Sequence, residues 1–231
     1  RWRYFDRGGS IVTIETKKTL IKNATLADGR NSDILISDGV IASIASSIND
    51  SDATIFDASA MVVMSGLVDL HTHLREPGKE DSETVLSGSR AGVKGGYVAL
   101  SAMANTSPVA DTAGVVEQVA ALGREAGYAD VYPIGAVTVG LEGKQMAELG
   151  AMANSKAQVK VFSDDGKCVH DPVIMRRALE YASTFDLPVI QHCEDHALTE
   201  NAQMHEGAVS MRMGLSGWPR IAEDIIVPRD L

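Results

Sequence analysis

The chain has 231 residues, 45% hydrophobic and 23% charged, the balance of a globular protein rather than a disordered one. Its 21 basic and 31 acidic residues leave a net charge of −10 with no Lys/Arg block, which argues against nucleic acid or an anionic membrane as a partner. Two cysteines, Cys168 and Cys193, lack the spacing of a disulfide framework or zinc finger, and no apolar run approaches the ~20 residues of a membrane span; a reduced, cytoplasmic setting is expected.

In chain order, residues 1–16 carry charge without an apolar stretch behind it, so they read as an N-terminal extension rather than a secretory signal. Residues 17–64 then read as short strands: TLIKNATL, SDILISDGVIASIAS and ATIFDASAMVVM are β-branched or alternating. The Asp28-Gly29 and Asp38-Gly39 pairs suit tight turns, the second joining two hairpin strands. A small β module is expected here.

From residue 65 to 231 the rhythm changes. The apolar strand GLVDLHTHL is followed by SETVLSGSRAGVKGG, which has helical spacing and closes on glycines. Strand YVALSAMAN precedes helix TAGVVEQVAALGREAG, and strand DVYPIGAVTV precedes helix KQMAELGAMAN. QVKVFSDDG, DPVIMRRALEYASTF and LPVIQHCED continue the alternation. Repeated βα units with nearly all-apolar strands predict a parallel sheet buried on both faces. No G-x-G-x-x-G follows the first strand, and polar residues gather where each strand ends, the face on which (β/α)8 TIM-type barrels build their sites. A complete barrel takes ~250 residues, so the 165 that follow Gly66 suit about five of eight βα units.

Three clusters at strand ends carry chemistry. In Asp69-Leu70-His71-Thr72-His73-Leu74-Arg75, residues two apart point to one face of a strand, so His71 and His73 converge; imidazole pairs so placed can take zinc or a similar metal. Alone, such a pair more often serves on the surface or in the core. Phe162-Ser163-Asp164-Asp165-Gly166 reads either as a solvated Asx turn or as a carboxylate metal ligand at the mouth of a barrel. Gln191-His192-Cys193-Glu194-Asp195 ends the strand LPVIQH; beside the other two clusters, His192 reads as a further ligand, whereas Cys193 alternates to the opposite side and reads as packed. His170, His196 and His205 stay unassigned.

Taken together, GLVDLHTHLREPG, SAMANTSPV, VFSDDGKCVHDPVIMRRALEYA, VIQHCED and MHEGAVSMRMGLSGWP resemble, in order, the longer, bacterial-type dihydroorotases of the amidohydrolase superfamily, across residues 18 to 231. The resemblance implies a (β/α)8 barrel flanked by a β-sandwich. It implies one or two Zn2+ ions, with His71 and His73 on the more buried one, Asp165 bridging and His192 on the second. It implies that Arg75 and Asn105 grip the substrate carboxylate, although the family's Met-Pro-Asn-Thr here reads Met103-Ala104-Asn105-Thr106. Related hydantoinases and allantoinases bridge their metals with a carboxylated lysine, for which Lys160 is the candidate in this chain; the DDG turn instead matches the dihydroorotases that use aspartate.

The implied activity is the reversible hydrolysis of dihydroorotate to N-carbamoyl-L-aspartate in pyrimidine biosynthesis. The general acid/base aspartate of the family is expected beyond Leu231, so the sequence reads as the N-terminal portion of the family pattern. Two alternatives remain: an allantoinase- or dihydropyrimidinase-like hydrolase, and a non-catalytic scaffold subunit of aspartate transcarbamoylase. A homo-oligomer is a further expected partner state.

Overall fold

A computed structural model describes residues 2–5, 11–14 and 18–231, the first two segments through their backbone only. The chain divides into two compact units, Arg1–Gly66 and Leu67–Leu231.

In the first unit, strands β1 (Trp2–Phe5) and β2 (Ile11–Ile14) pair antiparallel. The rest of the extension read at 1–16 lies outside the described residues. Strands β3 (Lys18–Leu26), β4 (Asn31–Ser37), β5 (Val40–Ala45), β6 (Thr54–Asp57) and β7 (Val62–Val63) form one mixed sheet: β5, β4 and β3 run antiparallel in turn, while β6 and β7 lie parallel to β3. Asp38-Gly39 makes the two-residue hairpin between β4 and β5, with positive φ at both residues, the conformation that this dipeptide tolerates best. The bulge of β3 near Asn23 brings a backbone N–H onto the buried Asp33 carboxylate, which also accepts from Ile48 N; both bonds hold that carboxyl below its usual range.

In the second unit β8 (Leu67–Thr72) is followed by α1 (Val85–Lys94), β9 (Tyr97–Ala102), α2 (Ala113–Ala126) and β10 (Asp130–Pro133). Thr84 caps α1 by accepting from Ser87 N, and Gly127 closes α2 in the left-handed conformation. The three strands are parallel, in the order β8-β9-β10. Helices α3 (Leu149–Ala153), α4 (Pro172–Ser183, capped by Asp171) and α5 (His196–Thr199) follow. Short strands β11 (Met204–His205) and β12 (Gly217–Trp218) pair around α6 (Ala208–Met213). Helices α7 (Ile221–Asp224) and α8 (Ile226–Asp230) come last.

The segments QVKVF and LPVIQH, read from sequence as full strands, are shorter than that. Each contributes one parallel bridge, Gly135 to Phe162 and Phe162 to Val189. The sheet direction nonetheless continues: Gly135 N donates to Val161 O, Ser163 N to Gly135 O, Phe162 N to Pro188 O and Ile190 N to Phe162 O, all at 2.8–3.2 Å. Pro133 and Pro188 bear no N–H, which limits the ladder on either side. The helix read over KQMAELGAMAN likewise shrinks to its second half, α3.

Phe162 is fully buried at this junction, amid Val137, Leu149, Met152, Val159, Met175 and Ala178; a second apolar cluster joins Leu74, Val85, Leu100 and Val119. Polar loops after each strand therefore rest on a packed floor. Replacing Phe162 by Ala should lower stability by about 3–5 kcal/mol, because the cavity left between two backbone strands cannot collapse. Urea denaturation followed by circular dichroism measures this; a loss below about 1 kcal/mol would mean that the junction does not depend on the ring.

Candidate metal centre

Three strand-end loops of the second unit meet over this floor. The end of β8 delivers His71, and His73 follows just past it; their rings stand edge to face with centroids 5.1 Å apart. From the loop after Phe162 comes Asp165, buried to 9% exposure. One carboxylate oxygen lies 3.3 Å from His71 Nε2, and the other 3.4 Å from His73 Nε2. One ligand atom from each of the three residues lies within 4.8 Å of the others. His192, from the loop after Val189, stands beside them with Nδ1 3.8 Å from Asp165 Oδ1. A cleft of about 450 Å³ opens over the group, lined in part by His71, Asp165, His192, Glu194 and Trp218.

The neighbouring carboxylate, Asp164, faces the other way. It is 1% exposed, and it accepts from Val137 N at 2.7 Å, Thr138 N at 3.0 Å and the Thr138 hydroxyl. Burial pushes its carboxyl above the usual range, opposed by the bonds from Thr138 and Val137. Asp164 anchors the turn and Asp165 projects from it.

Asn105 touches the site through a histidine: its amide oxygen lies 3.0 Å from His73 Nδ1. An amide oxygen only accepts, so Nδ1 carries a hydrogen, and in the neutral imidazole Nε2 then presents its lone pair to Asp165. A bare nitrogen facing a carboxylate oxygen is unfavourable unless a cation lies between them. Two imidazoles and a carboxylate form a donor set suited to zinc and other borderline divalent ions. The residues therefore fit a divalent metal.

Arg75 follows on the same loop, with φ of 60°, an uncommon and strained conformation for a residue with a side chain. Among the described residues its guanidinium enters no hydrogen bond or ion pair, whereas Arg229 is fully engaged with Asp230 and the carbonyls of Val169 and His170. The Arg75 and Asn105 loops are pressed together: Ser107 N donates to Pro77 O at 2.9 Å, and a Cβ on Gly78 would lie 2.0 Å from Ser107 O. Gly78 also has φ of 98°, so glycine is required twice over. Lys160 is exposed, outside this constellation.

Sequence reasoning did not single out Glu194. Its carboxylate accepts from Thr199 at 2.5 Å and contacts His192 Nε2 at 2.9 Å and His196 Nδ1 at 3.0 Å. Burial alone would raise its carboxyl; the bonds from Thr199, His192 and His196 outweigh burial and hold it below the usual range. The two-residue spacing from His192 was the available signal.

With this geometry established, similarity to known proteins becomes informative. The model of the dihydro-orotase-like family matches residues 60–231, well over half of the chain. The chain belongs to the dihydro-orotase-like family. A dihydroorotase of Streptomyces coelicolor is 59% identical over 214 residues, covering 93% of this chain and 50% of the relative; one of Leifsonia xyli is 58% identical over 212, covering 92% and 48%. The chain thus spans about half the length of the curated relatives it matches. An L-hydantoinase (dihydropyrimidinase) from Arthrobacter aurescens superposes with a TM-score of 0.70 at 19% identity, over 91% of this chain and 49% of that one, which shows a shared fold.

Substituting Asp164 by Ala should cost about 3 kcal/mol, since two buried N–H groups lose their acceptor; Asn, which keeps an acceptor oxygen, should cost less than half as much. Thermal denaturation of the two variants tests the difference, and equal losses would show that Asp164 acts through something other than those bonds.

Proposed function

We propose that this chain carries the metal-binding side of a zinc-dependent cyclic amidohydrolase, and that the whole protein reversibly hydrolyses dihydroorotate to N-carbamoyl-L-aspartate in pyrimidine biosynthesis. The observation that carries the reading is the convergence of His71, His73 and Asp165 within 4.8 Å, in a chain 59% identical to a dihydroorotase. His71, His73 and Asp165 would hold Zn2+, and His192 would serve a second ion beside them. Bound zinc supplies Lewis-acid polarisation of a ring carbonyl and activation of water.

The chain's own residues bind and orient. Arg75, free of ion pairs among the described residues, offers its planar fork to the substrate carboxylate. Asn105 holds His73 through its oxygen, which leaves its amide N–H groups for the same carboxylate. The floor around Phe162 keeps the loops in register and excludes water from beneath them. No residue of this chain is assigned the proton-shuttle role.

The division at Gly66 supports reading residues 17–64 as part of a β-sandwich module, behind a 1–16 extension, and 65–231 as five of the eight units of a (β/α)8 barrel. An allantoinase- or dihydropyrimidinase-like reading would need Lys160 as the bridge; the exposure of Lys160 and the placement of Asp165 favour the aspartate. Val68 and Leu70 of β8, 55% and 69% exposed, lie on a sheet edge that the remaining units of such a barrel would cover, and a homo-oligomer or a complex with aspartate transcarbamoylase is a further proposal for the whole protein. Free cysteines at 168 and 193 favour the cytoplasm, and among the described residues no helix is long and apolar enough to cross a membrane.

Elemental analysis of the purified, chelator-free chain should find zinc, reduced in His71→Ala and in Asp165→Asn but retained in Lys160→Ala. Folded wild-type protein without zinc would overturn the reading. By calorimetry, Arg75→Ala should weaken dihydroorotate binding by roughly 10–100-fold, the loss expected for a charge-assisted bond, and leave dihydrouracil, which lacks the carboxylate, unaffected. Equal weakening of both ligands would remove Arg75 from carboxylate recognition.

A further inference from the structure

We propose that Glu194 is a positioning residue for the metal centre: its carboxylate holds His192 by Nε2–H and so turns the lone pair of Nδ1 toward Asp165. The inference rests on the metal-binding reading above and assigns a role to a residue that this reading leaves idle.

The argument starts from hydrogen count. An ionised carboxylate can only accept, so the 2.9 Å contact between Glu194 Oε2 and His192 Nε2 requires the hydrogen on Nε2. In a neutral imidazole the other nitrogen is then bare. That nitrogen, Nδ1, lies 3.8 Å from Asp165 Oδ1, so two acceptors face each other across a gap suited to a cation. His73 shows the same logic in mirror image, with Nδ1 held by Asn105 and Nε2 offered to Asp165. The two rings thus present opposite nitrogens to one carboxylate, each turned by a partner on its far side.

Glu194 is itself well held. It is 8% exposed, and its second oxygen accepts from Thr199 Oγ1 at 2.5 Å and from His196 Nδ1 at 3.0 Å. Thr199 and His196 belong to α5, which Asp195 caps through Ala197 N; Asp195 N in turn donates to Ala222 O of α7. The carboxylate therefore has little freedom to leave His192, and that rigidity is what an outer-shell partner needs to fix a ligand's tautomer and raise its basicity.

The test uses the full chain. In the metal-free wild type, above the imidazole titration range, nitrogen-resolved NMR should place the His192 hydrogen on Nε2 as a downfield, slowly exchanging signal, assigned by its loss in His192→Asn. Glu194→Ala should lose that slow exchange and bind zinc roughly 10–100-fold more weakly in chelator competition. Glu194→Gln, whose amide oxygen still accepts, should recover part of both.

A wild-type His192 hydrogen on Nδ1, or a Glu194→Ala zinc affinity within about twofold of wild type, would overturn the proposal. If Glu194→Ala fails to fold, the wild-type spectrum and Glu194→Gln decide alone. A wild-type chain that takes up no zinc yet shows the slow Nε2–H signal would uphold the Glu194–His192 contact and sink the metal reading instead.

Discussion

Backbone hydrogen bonds on either side of Phe162 set the relative height of two loops. Ser163 N reaches back to Gly135 O, and Ile190 N reaches forward to Phe162 O, so residues 163–165 and 191–194 emerge side by side. Of the metal-ligand candidates, Asp165 and His192 take their relative placement from this register, while His71 and His73 come from β8. A parallel sheet supplies it cheaply in sequence terms, because the bonds are backbone and the side chains below need only be apolar and well packed. Polar chemistry above and apolar packing below are thus two faces of one constraint.

Within that frame, the site is assembled by holding each group from behind. Asn105 secures His73, Thr138 and the 137–138 backbone secure Asp164, and Thr199 with His196 secures Glu194. At a greater remove, Arg229 of α8 binds the carbonyls of Val169 and His170, while Asp230 accepts from Gln191. Ligand-like atoms are left with few protein partners of their own, the condition in which a metal ion competes well for them.

Much of this was legible in the residues, for identifiable reasons. Alternation along β8 is a local property, so the convergence of His71 and His73 follows from their spacing. Helices α1, α2 and α4 announce themselves through periodicity and through caps at Thr84, Gly127 and Asp171. The curtailed strands around Phe162 were harder to read, because apolar β-branched runs look alike whether they pair at one residue or six; only Pro133 and Pro188 hinted at the limit. Bonds spanning 22 to 60 residues, such as Gln191 to Val169 or Arg229 to Val169, leave no periodic trace at all. Glu194 was masked by its company: in the run from Gln191 to Asp195, nothing local separates a carboxylate that contacts a neighbour's ring from one that is merely solvated.

The back-to-back pair Asp164 and Asp165 couples composition to geometry in an unusual way. Because the first carboxylate is sewn to the 137–138 backbone, the second has no independent adjustment; its aim is inherited. Chemical variation at the centre must therefore enter through the histidines and their rear partners, while the turn itself acts as a datum. Changes at Thr138, whose hydroxyl bonds Asp164 and accepts from Gly143 N, would accordingly register in the aim of Asp165, transmitted from another loop through the carboxylate next to it.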